Sequence, residues 1–202
     1  MGRIIFINRY FYPDHSATSQ MLSDIAFGLQ STGRTVSVIT SRQRYDAPEE
    51  QLAARETAAD VDIHRIWTSR FGRHNLAGRA VDYVTFYISS AVALTRLVRR
   101  GDVIVAKTDP PMLSVLAAPI ARLKGARLIN WLQDVFPEVA QVLGMARSGV
   151  SRGAFSFLYW LRDWSLKAAG ANVVLGERMK EHLIAHGVAP RNMAIIPNFA
   201  DG

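Results

Sequence analysis

Short apolar runs alternate along the chain with longer segments whose apolar residues recur every three or four positions. The runs, rich in Val and Ile, predict strands over residues 3–8, 35–40, 62–67, 102–107, 126–132, 172–175 and 194–196. The longer segments predict helices over residues 16–31, 78–100, 112–124, 151–169 and 177–186. Because strands that alternate with helices pair in parallel, the pattern predicts a doubly wound α/β fold, with a mostly parallel sheet of about seven strands and helices on both faces.

Two segments depart from this alternation. Residues 41–61 are rich in charge and carry Pro48 near their centre, which predicts a mobile loop. Residues 80–98 are almost entirely apolar or small, but Asp82 and Arg96 interrupt them. We therefore expect a buried or half-buried helix, or one that also touches a bilayer surface, rather than a membrane span. The amino-terminal apolar run is too short for a signal peptide, which predicts a cytoplasmic protein.

Composition narrows the function classes. The 202 residues include 24 Lys and Arg against 17 Asp and Glu, and the net charge of +7 favours anionic partners. The absence of cysteine excludes disulfides, thiolate zinc sites and a cysteine nucleophile. Dinucleotide, phosphate-loop and serine-hydrolase motifs are also missing. His182 and His186 have a ligand-like spacing, but the His-Glu-x-x-His pattern with its supporting carboxylate is absent, so we expect a solvated helix face and no metal site.

The first loop after a strand carries candidate ligand contacts, because ligands of such sheets bind at the carboxyl ends of the strands. Ser16 and Thr18 at the start of a helix suit an anion such as a diphosphate, or alternatively cap the helix. Asp14 and His15 lie beside three aromatic residues, which indicates a recognition surface.

The loop after the fifth predicted strand carries the sharpest signal. Asp134 lies just past the end of a largely apolar strand, where a carboxylate can accept a proton or hold a sugar hydroxyl, or alternatively cap the next turn. Glu138 follows four residues later and alternatively complements the dipole of the next helix. Thr108 and Asp109, before two prolines, form either a tight turn or a rigid wall of the pocket.

Basic charge is concentrated between Asp62 and Arg100, where seven arginines face only two aspartates. Aromatic residues such as Trp67, Phe71 and Tyr83 are interleaved with these arginines. The combination is typical of a surface that contacts anionic lipid, and it also fits nucleic acid or a merely solvated basic face.

Several stretches carry a family resemblance: Tyr12-Pro13-Asp14, residues 33–40, Pro110-Pro111, residues 133–138, Leu143-Gly144, residues 162–165, residues 174–179 and residues 195–198. In this order they resemble the amino-terminal domain of family 4 glycosyltransferases with the two-domain GT-B fold. The likeness is to the bacterial subgroup that builds colanic acid, O-antigen and related polysaccharides. The stretch from Gln133 to Glu138 is its most specific part.

Two departures from the family pattern bear on function. The family's first loop usually carries a glycine pair beside the donor diphosphate; Ser16 and Ala17 stand there instead, and we expect them to make that contact. The chain ends at Gly202, where the family's donor-binding domain begins. The resemblance therefore implies one Rossmann-like acceptor-binding domain over residues 1–202, with a hinge starting at residues 197–202. We expect this chain alone to transfer no sugar.

The resemblance also implies a reaction and its residues. A retaining transferase moves a sugar from a nucleotide-sugar donor, without metal or other cofactor, to a lipid-diphosphate-linked saccharide at the inner membrane face. Asp134 falls where many relatives place a catalytic residue, as a base that orients the acceptor hydroxyl or as an electrostatic stabiliser. The acceptor is expected to contact Asp14, His15, Ser16, Thr108, Asp109 and Glu138. The membrane is expected to contact Arg70, Arg73, Arg79, Arg96, Arg99 and Arg100, and the hinge to include Pro197 and Asn198.

Two alternatives stay open. A nucleotide-sugar 2-epimerase shares the two-domain fold but needs no membrane surface. A non-catalytic basic module predicts nucleic-acid affinity that falls steeply with salt. Because the sequence has no recognised base-reading motif, we favour the transferase and expect no nucleic-acid partner.

Overall fold

The strands and helices follow one another nearly as the sequence pattern predicts. A computed structural model describes residues 2–45, 47, 49–72, 76–139 and 152–198. The strands are β1 (Ile4–Ile7), β2 (Val36–Ser41), β3 (Arg55–Ala58), β4 (Val61–Ile66), β5 (Val103–Ala106), β6 (Arg127–Trp131), β7 (Ala171–Val174) and β8 (Met193–Ile195). The helices are α1 (Ala17–Ser31), α2 (Leu76–Leu97), α3 (Leu113–Lys124), α4 (Arg152–Ala168) and α5 (Glu177–Ala185), with a 3₁₀ turn at Pro190–Asn192.

One mostly parallel sheet organises the described residues. Its strand order is β3-β4-β2-β1-β5-β6-β7-β8, and every neighbouring pair is parallel except β3 with β4. The chain begins in the middle of the sheet, builds outward through β2 and β4, and then returns through α2 to build the other half from β5. The predicted doubly wound α/β fold is confirmed.

Strand β3 corrects the prediction of a mobile loop over residues 41–61 and of seven strands. Its residues Arg55–Ala58 pair antiparallel with β4 and are exposed or partly exposed. Buried Arg65 in β4 bonds to Glu56 across this pair, through Nη1 and Oε2 at 2.5 Å. The segment is therefore an ordered edge of the sheet, although Asp46 and Pro48 lie outside the described residues.

The core lies on both faces of the sheet. Helix α1 covers one face, where Leu22 and Ala26 pack against Phe6 and Val38. Helices α2 and α3 pack side by side on the other face through residues such as Phe86. Helix α4 continues this layer next to α3, and α5 contacts β8, with its Leu183 in a cluster that includes Leu166 of α4 and Val174 of β7. Because α2 follows β4, it starts at the carboxyl edge of the sheet and ends at the amino edge.

Helix α2 is half-buried, as expected. Phe86 and Leu94 are fully buried, whereas Val84 and Ile88 are more than half exposed. Among the described residues, we find no helix with the length and apolar character that a membrane crossing requires.

A buried carboxylate fastens the amino edge of the sheet. Asp102 accepts hydrogen bonds from the backbone and side chain of Arg3, both at 3.0 Å, and from the Arg99 amide at 2.9 Å. Burial opposes its ionisation, but these hydrogen bonds hold the pKa of Asp102 below its ordinary value.

We expect Asp102→Ala to lower the free energy of unfolding by about 2 kcal/mol at pH 7, measured by urea denaturation, because it leaves buried donors unpaired. A lowered pKa stabilises the fold above the ordinary aspartate pKa, and this contribution is lost as the pH falls. The difference in the free energy of unfolding between Asp102→Ala and the parent chain should therefore decrease below about pH 4. The control Asp62→Ala, at an exposed position of β4, should change stability by less than about 0.5 kcal/mol. An equal loss in both variants would contradict this account.

Candidate functional site

The carboxyl ends of the central strands bring the predicted loops to one edge. The registers Ile7 with Ala106 and Ala106 with Asn130 align β1, β5 and β6, so the residues that follow these strands emerge side by side. These are the segments that start at Asn8, Lys107 and Leu132.

Asp134 lies on the rim of a small pocket at this edge. The pocket lies between β5, β6 and α4, and Asp134, Thr108, Asn130 and Arg162 are among its polar lining residues. Burial raises the pKa of Asp134, and a hydrogen bond from the Thr108 side chain partly opposes this. One carboxylate oxygen, Oδ1, is buried without a hydrogen-bond partner among the described residues. A carboxylate in this state can accept a hydrogen bond from a ligand hydroxyl.

Arg162 is a site residue that sequence reasoning missed. Its side chain comes from α4, is only 5% exposed and lines the same pocket as Asp134. Nη1 donates to Glu138 at 2.7 Å and Nε donates to Asp163 at 2.6 Å. The Nη2 nitrogen is buried and has no partner within the described part of the chain. A donor and an acceptor thus line the pocket together, which is the chemistry that holds a polyhydroxylated ligand.

Glu138 connects three elements. Its Oε1 atom accepts from Arg162 of α4 and lies 2.8 Å from Nε2 of His182 in α5. Although burial opposes ionisation, these partners hold the pKa of Glu138 below its ordinary value. The assumption that no carboxylate accompanies the pair His182 and His186 is therefore wrong. Glu138 supplies one from a segment 44 residues away.

The first loop is organised by Asp14. The carboxylate is buried and accepts hydrogen bonds from the amides of Ser16, at 2.8 Å, and Tyr45. It therefore holds the loop in shape, and the contact of Asp14 with the acceptor stays a prediction. His15 and Ala17 are exposed at the start of α1. Ser16 occupies the N-cap position without a side-chain capping bond, so the expected hydroxyl cap is absent there.

A cluster of charged groups is buried behind this edge. Lys107 is 2% exposed, donates to the Thr18 carbonyl at 2.9 Å and lies 4.1 Å from the centre of the Trp131 ring. Burial lowers its pKa to about 8. Burial raises the pKa of neighbouring Asp109 to about 6, partly offset by the positive charge of Arg9. Asp109 is partly exposed and lies two residues after Lys107, just past the carboxyl end of β5.

The expected membrane-docking arginines do not form one patch. Arg70 and Arg79 are exposed at the carboxyl-edge end of α2, whereas Arg96, Arg99 and Arg100 are exposed at its other end. Arg79 and Arg96 both lie on α2, and the 17 residues between them correspond to about 26 Å along the helix. Arg73 lies outside the described residues, as do Leu143 and Gly144 of the family-like stretches.

An apolar stripe joins these two ends. Val81, Val84, Ile88 and Val92 are between 44% and 62% exposed and recur every three or four residues, and we call them the α2 stripe. Arg65, which the sequence placed in the same basic segment, is buried and bonds to Glu56 and to the Tyr12 carbonyl. Arg65 is thus excluded from the surface.

The expected hinge residues follow the last strand. The Ile196 amide bonds to the Val174 carbonyl at 2.9 Å, and Pro197 and Asn198 beyond it are exposed. Residues 199–202 lie outside the described part of the chain.

Comparisons with known proteins agree with this geometry. Residues 17–198 match the family described as glycosyl transferase 4-like domain. The probable glycosyltransferase WbjE of Pseudomonas aeruginosa is 24% identical over 206 residues, which cover 99% of this chain and 48% of that protein. This chain therefore spans about half the length of the curated relative that it matches.

Two solved structures share the fold. Sucrose-phosphate synthase from Thermosynechococcus elongatus has a TM-score of 0.62 at 12% identity and matches 98% of this chain and 48% of its own. Anabaena HepE in complex with UDP-glucose has a TM-score of 0.58 at 12% identity and matches 100% of this chain and 45% of its own.

The raised pKa of the Asp109 carboxyl gives a test by the pH dependence of stability. A raised pKa means that the folded chain binds more protons than the unfolded chain between about pH 4 and pH 6, so folding stability falls as the pH rises through this window. Asp109→Asn removes the titration. We expect its stability relative to the parent chain to increase from pH 4 to pH 7, measured by urea denaturation at both values. A constant difference would show that Asp109 titrates normally.

Proposed function

This chain belongs to the glycosyl transferase 4-like domain family, and on that premise we propose that it is the acceptor-binding half of a retaining glycosyltransferase. The enzyme transfers a sugar from a nucleotide-sugar donor to a lipid-diphosphate-linked saccharide. The resemblance of its motifs to the colanic acid and O-antigen subgroup supports a role in bacterial surface or exopolysaccharide synthesis, which we place in this proposal at the inner face of the cytoplasmic membrane.

The position of Asp134 carries the proposal. Its carboxylate stands at the carboxyl edge of a parallel sheet, where ligands of such folds bind, and one of its oxygens lacks a partner among the described residues. Burial raises its pKa, which makes the carboxylate a stronger proton acceptor. In the proposed reaction Asp134 accepts the hydrogen of the attacking acceptor hydroxyl, while Arg162 and Thr108 fix the sugar beside it.

Two observations support a donor held by a second domain. The relative WbjE is about twice as long as the matched region, and HepE has been crystallised with UDP-glucose. We propose that the donor diphosphate contacts Ser16 and Ala17 at the start of α1, where the positive end of the helix dipole favours an anion. The second domain then follows the hinge at Pro197 and Asn198.

The proposed membrane contact is the α2 stripe with its carboxy-terminal arginines. Phe157 and Trp160 of α4 are more than half exposed, stack on each other and belong to the same helix layer. Exposed apolar side chains flanked by arginines are typical of proteins that rest on an anionic bilayer. This arrangement holds the enzyme next to a lipid-linked acceptor.

We expect Asp134→Ala in the complete enzyme to lower kcat at least about 100-fold, because the acceptor hydroxyl loses its proton acceptor. The assay measures transfer of labelled sugar from UDP-sugars to polyprenyl-diphosphate-linked acceptors in mixed micelles. Asp134→Asn separates the two roles: it stays as inactive as Asp134→Ala if the carboxylate is the base, and recovers activity if it only orients the hydroxyl.

The matched control is Asp24→Asn, which changes an exposed carboxylate on α1 and should keep normal kcat. Near-normal transfer by Asp134→Ala would end the catalytic role of Asp134. If the enzyme epimerises the nucleotide sugar in the absence of an acceptor, the protein is a nucleotide-sugar epimerase and the proposed transferase function is wrong.

We expect vesicles that contain phosphatidylglycerol to retain this chain in sedimentation, and vesicles of phosphatidylcholine alone to retain far less. Replacing Arg96, Arg99 and Arg100 with Ala should weaken binding at least about 10-fold, since each basic side chain near the surface contributes on the order of 1 kcal/mol.

The matched control removes three exposed arginines outside the docking surface, Arg55, Arg178 and Arg191. Because both triple variants lose the same charge, equal weakening would mean that total charge alone drives binding, and it would refute the docking surface. Unchanged binding of the first variant would refute it as well.

A further inference from the structure

Three side chains with metal-ligating atoms meet where α5 packs near the segment after β6. Glu138, His182 and His186 each offer one ligand atom, and these atoms lie within 4.8 Å of one another. The proposed transfer reaction uses neither histidine. The cluster is therefore a separate feature of the molecule.

The two histidines are arranged as a ligand pair. His182 lies in α5 and His186, four positions later, is the C-cap residue of that helix, so both rings lie on one side of it with ring centres 4.5 Å apart. Nδ1 of His186 lies 2.9 Å from the His182 carbonyl oxygen and must donate to it, because a carbonyl only accepts. In the neutral ring Nε2 then carries the free lone pair, and a backbone bond at the other nitrogen is how metal-binding histidines are usually held.

Glu138 supplies an oxygen in the same place. Oε1 is shared by Arg162 and His182, while Oε2 is buried without a partner among the described residues. The charge of Arg162 does not forbid a cation, because its Nε also bonds to Asp163. Two carboxylates against one guanidinium leave the cluster with a net charge of −1 when the imidazoles are neutral.

We propose that Glu138, His182 and His186 bind a divalent cation of the zinc type. Two imidazole nitrogens and one carboxylate oxygen form a donor set that suits Zn²⁺ and leave its remaining position to solvent. When the cation binds, the hydrogen bond between His182 and Glu138 breaks and both side chains coordinate the cation instead. The cation joins α5 to the segment that holds Arg162 beside Asp134, so its binding stiffens one wall of the pocket.

The test is a calorimetric titration of the chain with Zn²⁺ at neutral pH. We expect one site that dominates the titration, and His182→Gln and His186→Gln should each weaken its dissociation constant at least about 10-fold. His64→Gln is the matched control, because His64 lies on β4 outside the cluster, and it should bind like the parent chain. Circular dichroism checks that each variant is folded.

Co²⁺ gives an independent readout. The visible absorption of bound Co²⁺ should show an intense band of the tetrahedral type in the parent chain. This band should disappear in His186→Gln, a substitution at the partly exposed residue that ends α5. Either of two results would overturn the site: no Zn²⁺ binding at about 0.1 mM metal, or unchanged affinity in both histidine variants.

Discussion

Parallel pairing of β1, β5 and β6 is the constraint on which the rest of the molecule depends. Because these strands run in one direction and in register, the loops that follow them leave from a single edge. Lys107 and Asp134 come from different parts of the chain and still reach the same pocket. A shift of one residue in this register would turn Asn130 and its neighbours to the opposite face and dismantle the site.

The site is assembled at a cost in stability. Lys107 and Asp109 are ionisable groups whose pKa values burial moves toward neutrality, so each destabilises the fold when charged. At the amino edge the opposite holds, because hydrogen bonds around Asp102 favour its charged form. Groups whose pKa values are shifted toward neutrality are concentrated at functional sites. The carboxyl edge of the sheet, which carries such groups, is therefore the edge expected to bind ligands.

Apolar periodicity was sufficient to predict the fold but not the contacts within the site. The buried strands and amphipathic helices appear within three residues of their predicted bounds. Strand β3 was missed because its first three residues, Arg55, Glu56 and Thr57, are polar and exposed, so no alternation of apolar and polar positions marks it. Asp134 was predicted from its place after an apolar strand. Arg162 and the partnership of Glu138 with His182 depend on tertiary packing between distant segments, which periodicity does not encode.

The central claim is that the Asp134 pocket receives the acceptor sugar. A crystal structure of the complete enzyme with a nucleotide sugar and an acceptor fragment tests it most directly. We expect an acceptor hydroxyl within about 3 Å of the Asp134 carboxylate and the anomeric carbon of the donor facing the same hydroxyl. An acceptor bound at the opposite, amino edge of the sheet, or a cleft in which the Asp134 carboxylate touches neither sugar, would contradict the account.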